Sequence, residues 1–547
     1  MPIATFPLQD LSVLTQMSPD ELPHRAGAYG LEAIVQNQAL EVDVAADRPD
    51  LLAPEGLARV LKVHQGAERS PQTELEASGR SIQTVPQEPL LRPRIAAIVV
   101  EMPGGVGVEA LEAFLQFQEK VTQTYGRQRQ KLAMGAYDLG RVSGDLVYGL
   151  RPIEAIELVP LGGDRVWTGA ELLADHPKAH LYGGCLRGQS RIPVLEDGAG
   201  QILAVPPLVN AEGVGRVTAT TEQILVDVTG TSAQGVAELA SLVAHNWLDR
   251  GATVKTVTIV TAEGSQTTPS LDRRSIPVSS KFLNEVVGTF IPKLDLQRYL
   301  GRMDLELETG AEGDRVWVPS YRTDILSQND VAGDLLVAVG IENLEADRSD
   351  FQFSTGHANP LKTLALQVGD WSQRMGLLEV KSYILTDPKL LEVFPGVPVQ
   401  AANARSQRHS ATRTTLQAGL LEILSHQINA PKPLNCYEVG EVLTWDADQE
   451  QVQELLHWAF ASLDPKASFS TAKSYVQTLL QAIGLTYGWV DYGAEFYIAG
   501  RSAAVQVEGR TIGHFGEIHP ALLHRFSFPE PVCAGELDLS ALGQREP

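Results

Sequence analysis

Leu40, Val42 and Val44 alternate with polar neighbours, the period-2 pattern of a half-buried strand. Pro54 then suits the first turn of a helix carrying Leu57, Val60 and Leu61 on one face. Residues 65–90 are polar with little periodicity and read as a linker. From Ile95 the apolar run to Val100 predicts a buried strand, and Val108, Leu111, Phe114, Leu115 and Val121 form a helical stripe. A second apolar run, Ile202 to Val209, contains the pair Pro206-Pro207. Ile224 to Val228 predicts a strand entering the turn Thr229-Gly230-Thr231, followed by a helix with Val236, Leu239, Leu242, Val243 and Trp247 on one side. The β-branched stretch Thr253 to Val260 predicts another strand. Between Asp272 and Leu344 the pattern predicts helices around the phrase Val318 to Leu326. Beyond Leu361, helices over 361–375, 415–426 and 470–483 alternate with short strands, and Ala503 to Phe515 turns at Gly509 as a hairpin. The fold class is α+β, in several domains.

Length and charge narrow this picture. A chain of 547 residues exceeds one hydrophobic core and corresponds to three or four domains at roughly 150 residues each. Lys and Arg number 44 against 67 Asp and Glu, a net charge of −23, so nucleic acid is not gripped by charge alone. Three distant cysteines, Cys185, Cys436 and Cys533, supply neither a disulfide framework nor a CxxC zinc site. No run approaches the roughly 20 apolar residues of a membrane helix, and the N-terminus lacks a signal-peptide pattern. A cytoplasmic protein with no membrane association is expected.

The sequence lacks GxxxxGK[ST], HExxH, GxSxG and a GxGxxG after a strand. Three constellations remain. His514, Glu517 and His519 could bind a metal, but on a strand the two histidines point to opposite faces. Asp324, Asp330 and Asp334 offer hard oxygen ligands suited to magnesium, with Asp330 and Asp334 one helical turn apart; the alternative is a solvated helix N-terminus. Asn210 and Asp227 could hold a water or a ribose hydroxyl, or could serve only as turn residues.

The order of short phrases carries more information. Asp47-Arg48-Pro49-Asp50-Leu51-Leu52 with Glu55 to Arg59 resembles the opening domain of phenylalanyl-tRNA synthetase β subunits. Gln116 to Lys120, Tyr125 to Arg129, Gly135 to Leu139, Pro206 to Asn210 and Asp227 to Thr231 resemble that family's editing module. Pro319 to Ile325 resembles its small domain, and Arg413 to Leu421, Tyr437 to Gly440 and Gly513 to Pro520 its catalytic-like domain. The phrases run in one order from about residue 20 to the C-terminus, and the length resembles the short archaeal and eukaryotic form.

The resemblance implies four modules: an N-terminal mixed domain and linker (1–85), an α+β editing-type module (86–268), a small helical or winged-type, magnesium-associated domain (269–347), and a class II synthetase-like, catalytically inactive domain of antiparallel sheet and helices (348–547). It implies an α2β2 heterotetramer in which the α subunit charges tRNA(Phe) using ATP and magnesium, while β supports it and hydrolyses mischarged tyrosyl-tRNA. A divergent paralog, acting as a stand-alone hydrolase or a non-enzymatic binding partner, is the alternative. Asn210 and Asp227 fall where the editing pocket would have polar residues, as groups that orient water or substrate. Asp324, Asp330 and Asp334 match three positions of the magnesium set, and Gly333 stands at the fourth, usually acidic. Other departures are Asp47 for Asn, Ala204 and Ala211 for Ser, Ser327-Gln328 for His-Glu, and Val339-Gly340 for Tyr-Gly. With so acidic a chain, tRNA contact on β is expected only at local patches such as Arg127 to Lys131.

Overall fold

The structure, a computed structural model, describes residues 2–67, 74–310, 313–344 and 355–542. It divides into two compact units, residues 1–349 and 350–547.

The first unit begins with a three-stranded antiparallel sheet, Ile3–Pro7, Ala39–Asp43 and Ala33–Gln36, with Ala39–Asp43 in the middle. Leu40 and Val42 point inward as their alternation predicts. The helix Pro54–His64 follows, nearly all of it buried.

A ten-stranded sheet forms the centre of this unit. Its path runs from Val209–Asn210 through Ile202–Val205, Arg191–Glu196, Leu146–Pro152, Glu76–Thr84, Thr253–Thr261, Arg94–Glu101 and Gln223–Gly230 to Leu132–Asp138. Glu76–Thr84 is parallel to both its neighbours, so the expected linker contains an interior strand, and the sheet takes in chain that precedes residue 86. The polar sequence hid it because Ile82 alone in this strand is fully buried. One face of the sheet is covered by the helices Val108–Gln123 and Ala233–Asp249. Ser232 caps the second helix, its hydroxyl accepting from Gly235 N at 3.1 Å. Strand alternation divides the core: Val226 and Val228 face the helices, whereas Leu225 and Tyr137 join a second cluster on the other face.

The small module after residue 270 is not purely helical. Arg274–Val278, Gly313–Val318 and Glu306–Gly310 form a three-stranded antiparallel sheet beside the helices Ser280–Val287, Lys293–Gly301 and Gln328–Val339. Leu283, Val316 and Leu335 share one buried cluster with Phe6 of the N-terminal sheet and Trp247 of the central module. Burial therefore ties the first three modules together.

The second unit is a seven-stranded sheet, antiparallel except for its first pair. Its strands Leu434–Asp446 and Gln451–Leu463 have 13 residues each, longer than the short strands expected. Trp458 and Phe460 face the helices Pro360–Arg374 and Phe469–Ala482, while Ala459 and Ala461 face the Gln417–Ser425 side. The expected hairpin is present as Tyr497–Val507 and Arg510–Ile518.

Candidate functional site

The two ends of the ten-stranded sheet meet through a side chain. Asn210 lies on the strand that ends the path on one side, and its Nδ2 donates to the carbonyl of Ala136, on the strand that ends it on the other, at 3.3 Å. At this junction is a cavity of about 450 Å³, lined by Phe114, Gln118, Tyr137, Pro207, Asn210 and Asp227, among others. The structure thus brings together the two residues singled out in the sequence.

Asp227 sits across the ladder from Gly135 on the adjacent strand. A Cβ at Gly135 would collide with the Tyr137 hydroxyl and with Asp227 Oδ1, so glycine is needed for their approach. The Tyr137 hydroxyl donates to Asp227 Oδ1 at 2.6 Å. Both side chains are buried. Burial pushes the Asp227 carboxyl up to about 6, against the opposing effects of the Tyr137 hydrogen bond and the Arg92 charge. Burial and the Asp227 charge raise the Tyr137 hydroxyl, which stays a donor. A carboxyl that loses its proton near pH 6 is mostly ionised at neutral pH, yet basic enough to take a proton or accept a strong hydrogen bond.

Arg92 braces this site. Its guanidinium donates to the carbonyls of Thr229 (2.7 Å), Arg129 (3.0 Å) and Gln130 (3.1 Å). Arg127, Gln128 and Arg129 all have positive φ (50°, 52° and 62°), a costly conformation for non-glycine residues, so the buried guanidinium holds a strained turn. Arg129 reaches the cavity from this turn, pairs with Glu119 at 2.9 Å and lies 4.4 Å over the Tyr182 ring. Lys178 and Arg216 also line the cavity, so three basic side chains stand on its wall with the acidic Glu119 and Asp227. Burial, with help from Arg129, lowers the Lys178 ammonium. Tyr137 and Arg92 were not singled out in the sequence as chemical groups. Strand register identifies Tyr137 beside Asp227, but no local pattern marks Arg92.

The acidic set of the small module is arranged differently. Arg322 grips Asp324 with two bonds, Nε to Oδ1 at 2.9 Å and Nη2 to Oδ2 at 2.7 Å, and its Nη2 also reaches Asp334 Oδ1 at 3.0 Å. Burial opposes the charged form of Asp324, but the Arg322 bonds and charge hold its carboxyl below the ordinary value. At Asp334 burial outweighs Arg322 and pushes the carboxyl up. Although Asp330 and Asp334 share one helix, their carboxylates part. Asp330 turns back to accept from Leu326 N (2.9 Å) and Ser327 N (2.7 Å), closing a capping box with Ser327. Gly333 adds no donor. Magnesium requires oxygen ligands at about 2.0–2.1 Å in octahedral array. Here a guanidinium holds two of the carboxylates and backbone amides hold the third, so these residues do not fit the ion. Among the described residues no group of three or more His, Cys, Asp or Glu is placed to hold a metal.

The two histidines of the third constellation are also apart in role. His514 is half-buried in its strand and stacks on Tyr492 at 4.7 Å, whereas His519 caps the helix Pro520–Arg525 through Nδ1.

Comparison with known proteins gives a consistent result across the chain. Residues 276–341 match the family described as tRNA synthetase B5 domain, and residues 346–539 match the phenylalanyl-tRNA synthetase β-chain CLM domain. The phenylalanine–tRNA ligase β subunit of Archaeoglobus fulgidus is 31% identical, over 99% of this chain and 98% of its own length. That of Pyrococcus furiosus is 31% identical over 91% of this chain and 90% of its own. A solved N-terminal fragment of the phenylalanyl-tRNA synthetase β subunit from Pyrococcus horikoshii aligns with a TM-score of 0.57 at 26% identity, covering 62% of this chain and 99% of the fragment. The chain belongs to the phenylalanyl-tRNA synthetase β-subunit family and is part of an aminoacyl-tRNA ligase.

Proposed function

We propose that the chain works in the cytoplasm beside a catalytic α subunit, in an α2β2 heterotetramer that charges tRNA(Phe), and that its ten-stranded module hydrolyses tyrosyl-tRNA formed in error. ATP and magnesium serve the charging step on the α partner. Large apolar side chains exposed on the second unit, among them Leu366, Leu378 and Tyr383, offer surface for that partner.

The observation that carries the editing half is the cavity where the sheet's ends meet, with Asn210, Asp227 and Tyr137 on its wall. The bond to be cut is an ester at the terminal ribose. Water attacks its carbonyl carbon, the ribose oxygen leaves with a proton, and free tyrosine and tRNA result. Phe114, Leu115 and Pro207 offer apolar surface to an aromatic ring. Asp227 and Asn210 orient the water or the phenolic hydroxyl, and no covalent intermediate is needed. A site that bonds the tyrosine hydroxyl disfavours phenylalanine, whose ring would leave a buried polar group unpaired. The basic residues Arg129, Lys178 and Arg216 suit the phosphates of the incoming 3′ end.

The test is hydrolysis of tyrosyl-tRNA(Phe) by the assembled enzyme, comparing wild type with Asn210→Ala and Asp227→Ala. A fall of about 10²-fold or more is expected for Asp227→Ala, with phenylalanine charging retained. Unchanged hydrolysis in both variants refutes the site. Mass measurement of the chain co-expressed with its α partner tests the heterotetramer, and a lone β chain refutes it.

A further inference from the structure

The disagreement between the acidic positions of the small module and a magnesium site points to a different cation. We infer that the guanidinium of Arg322, with Arg48 behind it, is the permanent counter-charge of Asp324 and Asp334, so that this module folds and joins the N-terminal module without a divalent ion.

The contacts form a chain across two modules. Arg322 is 1% exposed, and its Nη2 lies 2.7 Å from Asp324 and 2.8 Å from Asp334. Arg48 Nε comes within 3.9 Å of Asp324 Oδ1, the oxygen that Arg322 Nε also bonds. Arg48 belongs to the N-terminal module, where it grips the fully buried Asp50 through Nε (2.9 Å) and Nη2 (2.7 Å) and donates to the Tyr29 hydroxyl at 3.2 Å. Two guanidinium groups thus face three carboxylates, Asp50, Asp324 and Asp334. The remaining charge is small, and a divalent ion would add two positive charges beside two already buried.

Geometry points the same way. A planar fork satisfies a carboxylate with two parallel bonds, a match an ion of octahedral preference does not reproduce. To admit magnesium, Arg322 would have to leave both aspartates, stranding a buried guanidinium. It is tied in addition by Nη1 to the Met303 carbonyl at 3.3 Å. Asp330 is already used by backbone amides, and at Gly333 there is no side chain to replace it. The position that lacks its acid leaves Asp324 and Asp334 as the carboxylates facing Arg322, which bonds both oxygens of Asp324 and Oδ1 of Asp334 and pairs by charge with Asp334 Oδ2 at 2.8 Å.

The experiment uses the full chain and two readouts. Thermal unfolding is followed with chelator, with millimolar magnesium and with potassium chloride at matched ionic strength. Bound Mn²⁺ is counted by electron paramagnetic resonance in wild type and in Asp324→Asn. The expected result is a wild-type unfolding temperature that magnesium shifts no more than the matched salt does. The Mn²⁺ count should be equal in the two proteins. Asp324→Asn should lower the unfolding temperature by roughly 5–10 °C, equally with chelator and with magnesium. A magnesium-specific rise in wild type, or Mn²⁺ lost on the substitution, overturns the inference. If Asp324→Asn fails to fold, the wild-type magnesium response decides alone.

Discussion

Two sites in the first unit remove aspartates from water and give them different partners. In the cavity Asp227 meets the neutral hydroxyl of Tyr137, and burial leaves its carboxyl titrating at about 6. In the small module Asp324 meets the charged fork of Arg322, which holds it below the ordinary value despite burial. A neutral donor positions a carboxylate while leaving its proton affinity high; a cation fixes the charge and removes that chemistry. The first arrangement suits a reaction and the second suits a joint between modules. Nothing in the residue type distinguishes them, since both are aspartates within family phrases.

The largest effect comes from removing the cation. Arg322→Met should leave two largely buried carboxylates without their counter-charge and cost about 3–5 kcal/mol in denaturant unfolding of the full chain. A cost below about 1 kcal/mol would mean that the pair is solvated and that the contrast with Asp227 is wrong.

The pH dependence of stability sharpens the other side. The folded-state carboxyl of Asp227 titrates at about 6 against an ordinary value of 3.8. Between those values the folded chain binds the proton that the unfolded chain has lost, so this group makes stability fall as pH rises from 3.8 to about 6 and contributes no further change above. The full swing is at most about 3 kcal/mol. It should appear as the difference between wild type and Asp227→Asn measured across that range, because the variant lacks the titrating group. An Asp324→Asn comparison should show the opposite slope, with stability that Asp324 provides being lost as pH falls through its depressed value. Equal slopes for the two variants would erase the comparison.

The smallest effect concerns Asp330. As the third helical residue closing the capping box with Ser327 it is worth about 1 kcal/mol, and Asp330→Ala should cost that amount with or without magnesium. A cost that appears only when magnesium is present would return Asp330 to a metal set.

Much of the frame was legible in the sequence. Apolar runs and stripes located the strands Arg94–Glu101 and Gln223–Gly230 and the helix Ala233–Asp249, because these elements bury one or both faces. Glu76–Thr84 was missed because its partners are backbone strands on both sides while its side chains stay largely outside the core. Family phrases pointed to Asn210 and Asp227 but not to what they do. Their meeting depends on two strands 74 residues apart in sequence closing across the ends of one sheet, shown by the Asn210 bond to Ala136. For the acidic trio, helical spacing suggested a shared face for Asp330 and Asp334. Local chemistry prevailed, since a carboxylate at the third helical position finds unpaired amides nearer than any shared ion. Arg322 lay within the quoted phrase, but its bond to Asp334 spans 12 residues and follows no helical or strand period.

The central claim is that Asp227, tuned by Tyr137, makes the cavity an editing site. Its most direct test is the pH–rate profile for tyrosyl-tRNA(Phe) hydrolysis by the assembled enzyme, in wild type and in Tyr137→Phe. The wild-type rate should fall with acid through an apparent value of about 6, and loss of the Tyr137 hydrogen bond, which lowers the Asp227 carboxyl, should move that inflection upward. A wild-type rate that stays flat down to about pH 5, or an inflection that Tyr137→Phe leaves in place, would contradict it.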